Sequence, residues 1–368
     1  MRLIYIVSFF LVWGLVGCQD DADRDEPESP KPRTLLVYFG MDNNFWPEAQ
    51  EKIDSMVAGW GNYDGNLLVY VDARGSRPRL IRISQNEQGQ NRAEDVQVYE
   101  NENSADPVVL NRVVSEVVRK YPAESYGMIV LSHASGWLPA KTLGAARSVI
   151  IDGTSEMEMR DFAAALPVKL DFIVFDACFM GSIEVAYEFR DKADYLLVSP
   201  AEILVRPGFS YKKMVGQLMK PEADLLGVAS DVYNRFVANE WPYLTLSLVK
   251  TSELDKLADF CAPLLRGVDG EKLVNINQLQ NFGFGRQLLF FDFGDYMKAL
   301  APDRYQEFDQ LLSNCLPYKK ATAYYYSDAT GVRSVNTYSG LAVYIPQAAY
   351  PFLNSEYQKL KWTQRIQN

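Results

Sequence analysis

The chain has 368 residues, 48% of them hydrophobic, a formal net charge of −10 and a single histidine. That much apolar material suffices for a sizeable core and excludes an intrinsically disordered chain. The absence of any Lys/Arg block excludes a nucleic-acid surface, because phosphate recognition needs clustered positive charge, and one His excludes a His-rich metal site.

Met1-Arg2 is followed by an apolar run from Leu3 to Val16, too short for a mature membrane span and of the length of a signal-peptide core. Residues 1–17 are therefore expected to be a signal peptide. The run closes as Leu15-Val16-Gly17-Cys18, which resembles the bacterial lipobox and makes Cys18 the expected lipidated N-terminus. Residues 18–33, with Asp20, Asp21, Asp23, Asp25 and Glu26 before Pro27, Pro30 and Pro32, are too polar and broken to fold and are expected to be a tether. The acidic residues resemble surface-export signals or are a solvated linker. The expected location is the bacterial cell envelope, as an outer-membrane lipoprotein with surface exposure.

From Thr34 onward short apolar runs alternate with helix-period segments, the signature of a mostly parallel sheet with helices on both faces. Strands are expected at Leu35–Phe39, Leu67–Val71, Met128–Leu131, Phe172–Phe175, Tyr195–Val198 and Leu244–Leu248. Helices are expected at Pro47–Val57, Pro107–Lys120, Met157–Leu166, Ser182–Arg190 and Pro221–Phe236, with a hairpin of Leu80–Ile83 and Val96–Tyr99 before the second long helix. Residues 34–250 form the expected catalytic domain. Residues 251–368 are expected to be a C-terminal α+β subdomain packed on it, with helices at Glu253–Leu265 and Phe291–Leu300 and extended pieces at Ala321–Tyr326 and Leu341–Ile345.

In open α/β sheets reactive groups collect at the carboxyl ends of strands. Two runs end that way: Met128-Ile129-Val130-Leu131-Ser132-His133, followed by Ala134-Ser135-Gly136-Trp137, and Phe172-Ile173-Val174-Phe175-Asp176-Ala177-Cys178. Strand, His, helix, strand, Cys brings both side chains to one sheet edge, since each crossover returns the chain in the same direction. A thiol as nucleophile with imidazole as acid-base partner follows. No G-x-S-x-G elbow or P-loop competes. A helix starting at Phe179–Ser182 is expected to lower the Cys178 pKa toward about 6, gaining on the order of tenfold in thiolate. Backbone amides around Ala134 to Gly136 and at Cys178 are expected to hold the oxyanion, each contributing about 10²- to 10³-fold. Asp176 is either a pocket carboxylate or a cap for the following helix. Cys261 and Cys315 lie in amphipathic surroundings and are expected to be small buried hydrophobes without a disulfide framework.

These two segments resemble the clostripain family of the caspase-gingipain-legumain clan, whose strand ends in H-G-S-G-W and whose nucleophile lies in D-x-C-x-M; Asp176-Ala177-Cys178-Phe179-Met180 and Glu184 follow the second pattern. Weaker matches are Val37-Tyr38-Phe39-Gly40-Met41-Asp42-Asn43, Phe291-Asp292-Phe293-Gly294-Asp295-Tyr296 and Gly340-Leu341-Ala342-Val343-Tyr344-Ile345-Pro346. The resemblance implies a caspase-like α/β fold, a Cys-His dyad without an obligatory third residue, and cysteine-type endopeptidase activity after basic P1 residues. Self-cleavage of some members points to Lys141 and Arg147 in the loop after the His, against the alternative of a plain exposed loop; some members respond to calcium. The chemistry itself requires no cofactor or metal. Ala134 stands where the family has Gly, and Ser199–Phe209, where the P1 pocket is completed, offers Glu202 but also Arg206, whose charge would repel a basic P1 side chain. The expected partners are protein or peptide substrates and, through the lipid anchor, the membrane; the chain is expected to be a monomer. The alternative is a catalytically idle surface lipoprotein that uses the same fold to bind a protein or glycan.

Overall fold

The computed structural model describes residues 27–140 and 149–368. In chain order the first half comprises β1 (Lys31–Met41), α1 (Glu48–Gly59), β2 (Gly65–Ala73), β3 (Arg79–Gln85), β4 (Asn91–Val98), α2 (Pro107–Lys120), β5 (Ala123–Leu131), β6 (Ile150–Asp152), β7 (Ser155–Met157), α3 (Met159–Ala165) and β8 (Leu170–Asp176). Then come α4 (Ile183–Glu188), β9 (Ala193–Val198), α5 (Tyr211–Leu218), α6 (Leu225–Val237), β10 (Thr245–Lys250), α7 (Leu254–Leu265) and α8 (Gly270–Leu273). The remainder is β11 (Phe291–Asp292), α9 (Phe293–Leu300), α10 (Tyr305–Cys315), β12 (Tyr318–Ala321), β13 (Tyr324–Ser327), β14 (Gly331–Ser334), β15 (Ala342–Val343), α11 (Pro351–Tyr357) and α12 (Lys361–Gln367).

One nine-stranded sheet, in the order β12-β10-β9-β8-β5-β1-β2-β3-β4, organises the molecule. Its five central strands are parallel; each flank continues by antiparallel pairing, β10 and β3 running against the central strands and β12 and β4 with them. The centre is continuously apolar because it is covered on both faces. Alternation along β1 sends Leu36 and Tyr38 to a core shared with α2, α3, α4 and α7, and Leu35, Val37 and Phe39 to a second core under α1, α5 and α6. Helix α2 follows its sequence signals closely: Asp106 accepts from the Val108 amide, Pro107 takes the first turn, and Arg119 and Lys120 close the last.

One expectation is corrected and two details are added. Strand β1 starts at Lys31, inside the segment expected to be tether, because the Lys31 amide bonds to Pro122 O while Glu28 pairs with Arg82. Strand β10 is antiparallel to β9, since α5, which the sequence reading missed, and α6 both precede it on the same face. Residues past Lys250 share the first core, and β12 extends the main sheet.

Above the carboxyl ends of β1 and β2 lies the β6–β7 hairpin. Asp72 of β2 and Asp152 of β6 both accept from the single Ser104 amide, at 3.2 and 2.5 Å. The Ser104 hydroxyl also donates to Asp152 at 3.0 Å, which leaves Asp72 with only a share of the amide, and a retained proton on Asp72 completes the pair. Burial first, then the hydrogen bond and charge of Asp152, push Asp72 up to about 8. The folded state thus keeps a proton that the unfolded chain releases, and stability falls as pH rises from the ordinary aspartate range to about 8. Glu184, pushed up to about 7, and Asp292, to about 6, titrate earlier. Urea unfolding of Asp72→Asn is therefore expected to lose less stability than wild type between about pH 7 and 8.

Candidate active site

Strands β5 and β8 pair in parallel with Leu131 opposite Asp176, and His133 and Cys178 each lie two residues beyond that pair. The two side chains of interest therefore leave the same sheet edge from adjacent strands. His133 is half-buried, with its ring stacked on Phe45 at 4.0 Å between centroids and 25° between planes. Its Nε2 is hydrogen-bonded to Oδ1 of Asn44. Burial lowers the imidazole pKa, and the charge of Asp328 opposes that shift. The segment that carries Asn44 and Phe45 is itself fixed. Buried Asn43 donates to Gly40 O and Ile151 O, both at 2.9 Å, and accepts from the Phe45 amide at 2.9 Å.

Cys178 sits in a turn rather than at a helix start. Phe179 has φ +59, a left-handed conformation uncommon for a bulky side chain, and its ring stacks on Phe290 at 5.2 Å. The next residues run alongside 199–201, with Phe179 N bonded to Ala201 O and Gly181 N to Ser199 O. Helix α4 begins only at Ile183, and its Val185 amide is already capped by Ser182. The expected lowering of the thiol pKa by a helix terminus is therefore overturned. Burial pushes Cys178 up to about 12; the Ile203 amide, which donates to Sγ at 3.3 Å, opposes this, and Glu202 and Asp176 reinforce it. The site holds an un-ionised thiol and, at the end of the neighbouring strand, an imidazole whose neutral form is favoured.

The backbone of the His segment touches that of the Cys segment. Gly136 has φ +66, and a Cβ there would lie 2.5 Å from Phe179 O, so only glycine fits. Ala134 packs half-buried on the first core, and Trp137 lies against Tyr344 and Tyr357. These contacts bring the segment expected to supply oxyanion donors against the turn that carries the thiol.

The three pocket residues diverge. Asp176 is buried, accepts from the Tyr211 hydroxyl at 3.0 Å and feels the charge of Lys52, whose ammonium lies over the Tyr211 ring; burial raises its pKa. It caps no helix. Glu202 is half-buried and accepts from the Asp328 amide at 2.9 Å in the turn after β13, with its pKa raised by burial. Arg206 is exposed and turned onto α1, pairing with Glu48 and Glu51 at 3.1 Å each. It borders a cavity of about 640 Å³ between α1, α5 and α6, which neither Cys178 nor His133 lines. Cys18, Lys141 and Arg147 lie outside the described residues. Among the described residues no group of three His, Cys, Asp or Glu side chains is arranged to hold a metal ion.

Sequence reasoning missed Asn44, Phe45, Ile203 and Asp328. Asn44 was accessible to the strand-end rule, because it follows β1 at the same sheet edge. Asp328 was not, because it arrives from a hairpin turn remote in sequence.

A mostly parallel sheet with a thiol and an imidazole at its carboxyl edge is an α/β architecture shared with solved C11 cysteine proteases. An inactive zymogen C11 protease from Parabacteroides distasonis is 34% identical, covers 93% of this chain and 99% of its own, and superposes with a TM-score of 0.83. A secreted C11 cysteine protease from Bacteroides thetaiotaomicron, in complex with an irreversible peptide inhibitor, is 26% identical over 91% of this chain and 99% of its own, with a TM-score of 0.81. Clostripain of Hathewaya histolytica is 27% identical over 221 residues, which is 50% of this chain and 42% of that protein, so the match spans less than half of that relative's length. The clostripain family model matches residues 37–340, and the chain belongs to that family.

The thiol environment has a direct readout. Alkylation of Cys178 by iodoacetamide, mapped by peptide mass spectrometry, is expected to accelerate about tenfold per pH unit from about pH 7 to 9 without a plateau. A plateau near neutrality would show a stabilised thiolate instead. Cys261 and Cys315 are fully buried and do not compete.

Proposed function

We propose that this chain is a cysteine endopeptidase in which Cys178 attacks the scissile carbonyl and His133 moves the protons. The observation that carries the reading is the shared register: both residues stand two positions beyond the Leu131–Asp176 pair on adjacent parallel strands. Burial favours the neutral thiol, so its proton passes to His133 as the carbon–sulfur bond forms. The oxyanion then collapses to a thioester, and the amine leaves with the proton from His133. Water next attacks the thioester carbonyl, His133 accepts its proton, and the sulfur departs and regains a hydrogen. Amides of the Ala134–Gly136 segment and of Cys178 hold the developing oxyanion in this reading.

Glu202 and Asp328 put two carboxylates beside this edge, whereas the Arg206 charge is engaged by Glu48 and Glu51. That balance supports a basic P1 side chain. Cleavage within 141–148, at Lys141 or Arg147, and anchoring of the mature chain to the outer membrane through Cys18 complete the proposal.

Peptide acyloxymethyl ketones with Lys, Arg, Asp, Asn or Ala at P1 test it. Labelling is expected to require Cys178 and His133 and to favour Lys or Arg over Ala by about 10- to 100-fold, the range of a charge-assisted hydrogen bond. Absence of labelling by every probe, or equal labelling of Cys178→Ala, would overturn the peptidase reading. In a parallel purification, wild type is expected to show a fragment pattern that Cys178→Ala lacks; identical patterns would remove self-cleavage from the proposal.

A further inference from the structure

We propose that Asn44 is a positioning residue for this reaction: its side-chain oxygen accepts the hydrogen on His133 Nε2 and so leaves Nδ1 as the nitrogen that exchanges protons with Cys178. The role rests on the Cys178–His133 reading given above. A neutral imidazole carries one N–H, and either nitrogen can hold it. An amide oxygen only accepts, so the bond between Asn44 Oδ1 and His133 Nε2 exists only when Nε2 bears the hydrogen. The other nitrogen then has the free lone pair that a general base requires.

Three further observations separate this contact from a chance surface hydrogen bond. Phe45, the next residue, stacks on the imidazole at 4.0 Å, so one short segment fixes both the tautomer and the plane of the ring. That segment is held by the three Asn43 bonds to Gly40, Ile151 and Phe45, with Asn43 itself only 6% exposed. Asn44 by contrast is exposed, and its side-chain oxygen is hydrogen-bonded to the histidine. The partner is also neutral. A carboxylate at this position would stabilise the imidazolium and remove the base at neutral pH, whereas an amide orients the ring without charging it. The charged group that reaches His133 from the other packed elements is Asp328, on the turn after β13; the Cys178 thiol is uncharged.

The chain has one histidine, so the tautomer can be read directly. Protein labelled with ¹⁵N-histidine is expected to give a single imidazole with the hydrogen on Nε2, and Asn44→Ala is expected to shift it to a mixture of tautomers. In turnover, Asn44→Ala is expected to lose about 10- to 100-fold in kcat with little change in KM, the usual effect of removing a group that orients a working imidazole. Asn44→Asp restores the acceptor and is expected to recover most of the rate above neutrality, with the acid limb of kcat/KM moved to higher pH. Unchanged circular dichroism and unfolding midpoints in both variants keep the comparison on the site.

An Nδ1–H tautomer in wild type, a tautomer indifferent to Asn44→Ala, or a kcat within about twofold of wild type overturns the positioning role while Cys178-dependent turnover persists. A wild type that neither labels nor cleaves removes the peptidase reading instead, and this role with it.

Discussion

The pairing of β5 with β8 is the constraint from which the site follows. A slip of one residue would turn His133 and Cys178 to opposite faces, and a slip of two would carry one past the other by roughly 7 Å. Packing prevents both. Gly127 and Phe172 are partners in the register, and a Cβ on Gly127 would fall 2.1 Å from the Phe172 ring, so that ring lies where only glycine leaves room. Both strands are buried on both faces, and every apolar side chain along them opposes displacement.

Placement alone leaves the thiol inert at rest. The same low-polarity surroundings that would strengthen hydrogen bonds to a developing oxyanion also disfavour a resting thiolate. Ile203 holds the sulfur through its amide, and Glu202 and Asp176 add negative charge nearby. The imidazole is held from the opposite side by residues 43–45. The thiol and the imidazole are thus held by separate parts of the chain, at the ends of strands that are neighbours.

The strand-end placement of His133 and Cys178 was legible because it depends on consecutive residues: an apolar run followed at once by either one. The same locality made α2 readable over Pro107–Lys120, and the β3–β4 hairpin from its flanking apolar pieces. Phe179-Met180-Gly181-Ser182 misled for a related reason. Those residues can open a helix, yet their amides are taken by Ser199 and Ala201, a pairing that no local pattern encodes. Asn44 reaching His133, and Asp328 reaching Glu202, join positions far apart along the chain. Periodicity carries no information about them.

The β6–β7 hairpin resumes the chain after residue 148 and is tied down on several sides: Val149 N to Met157 O, Ile151 N to Ser132 Oγ, Asn43 to Ile151 O, and Asp152 to Ser104. Before residue 141, Trp137 and Leu138 are buried in the first core. A nick anywhere in 141–148 would therefore free two ends without freeing two bodies. The halves would travel as one particle through a sizing column and part only in denaturant, with His133 on one and Cys178 on the other.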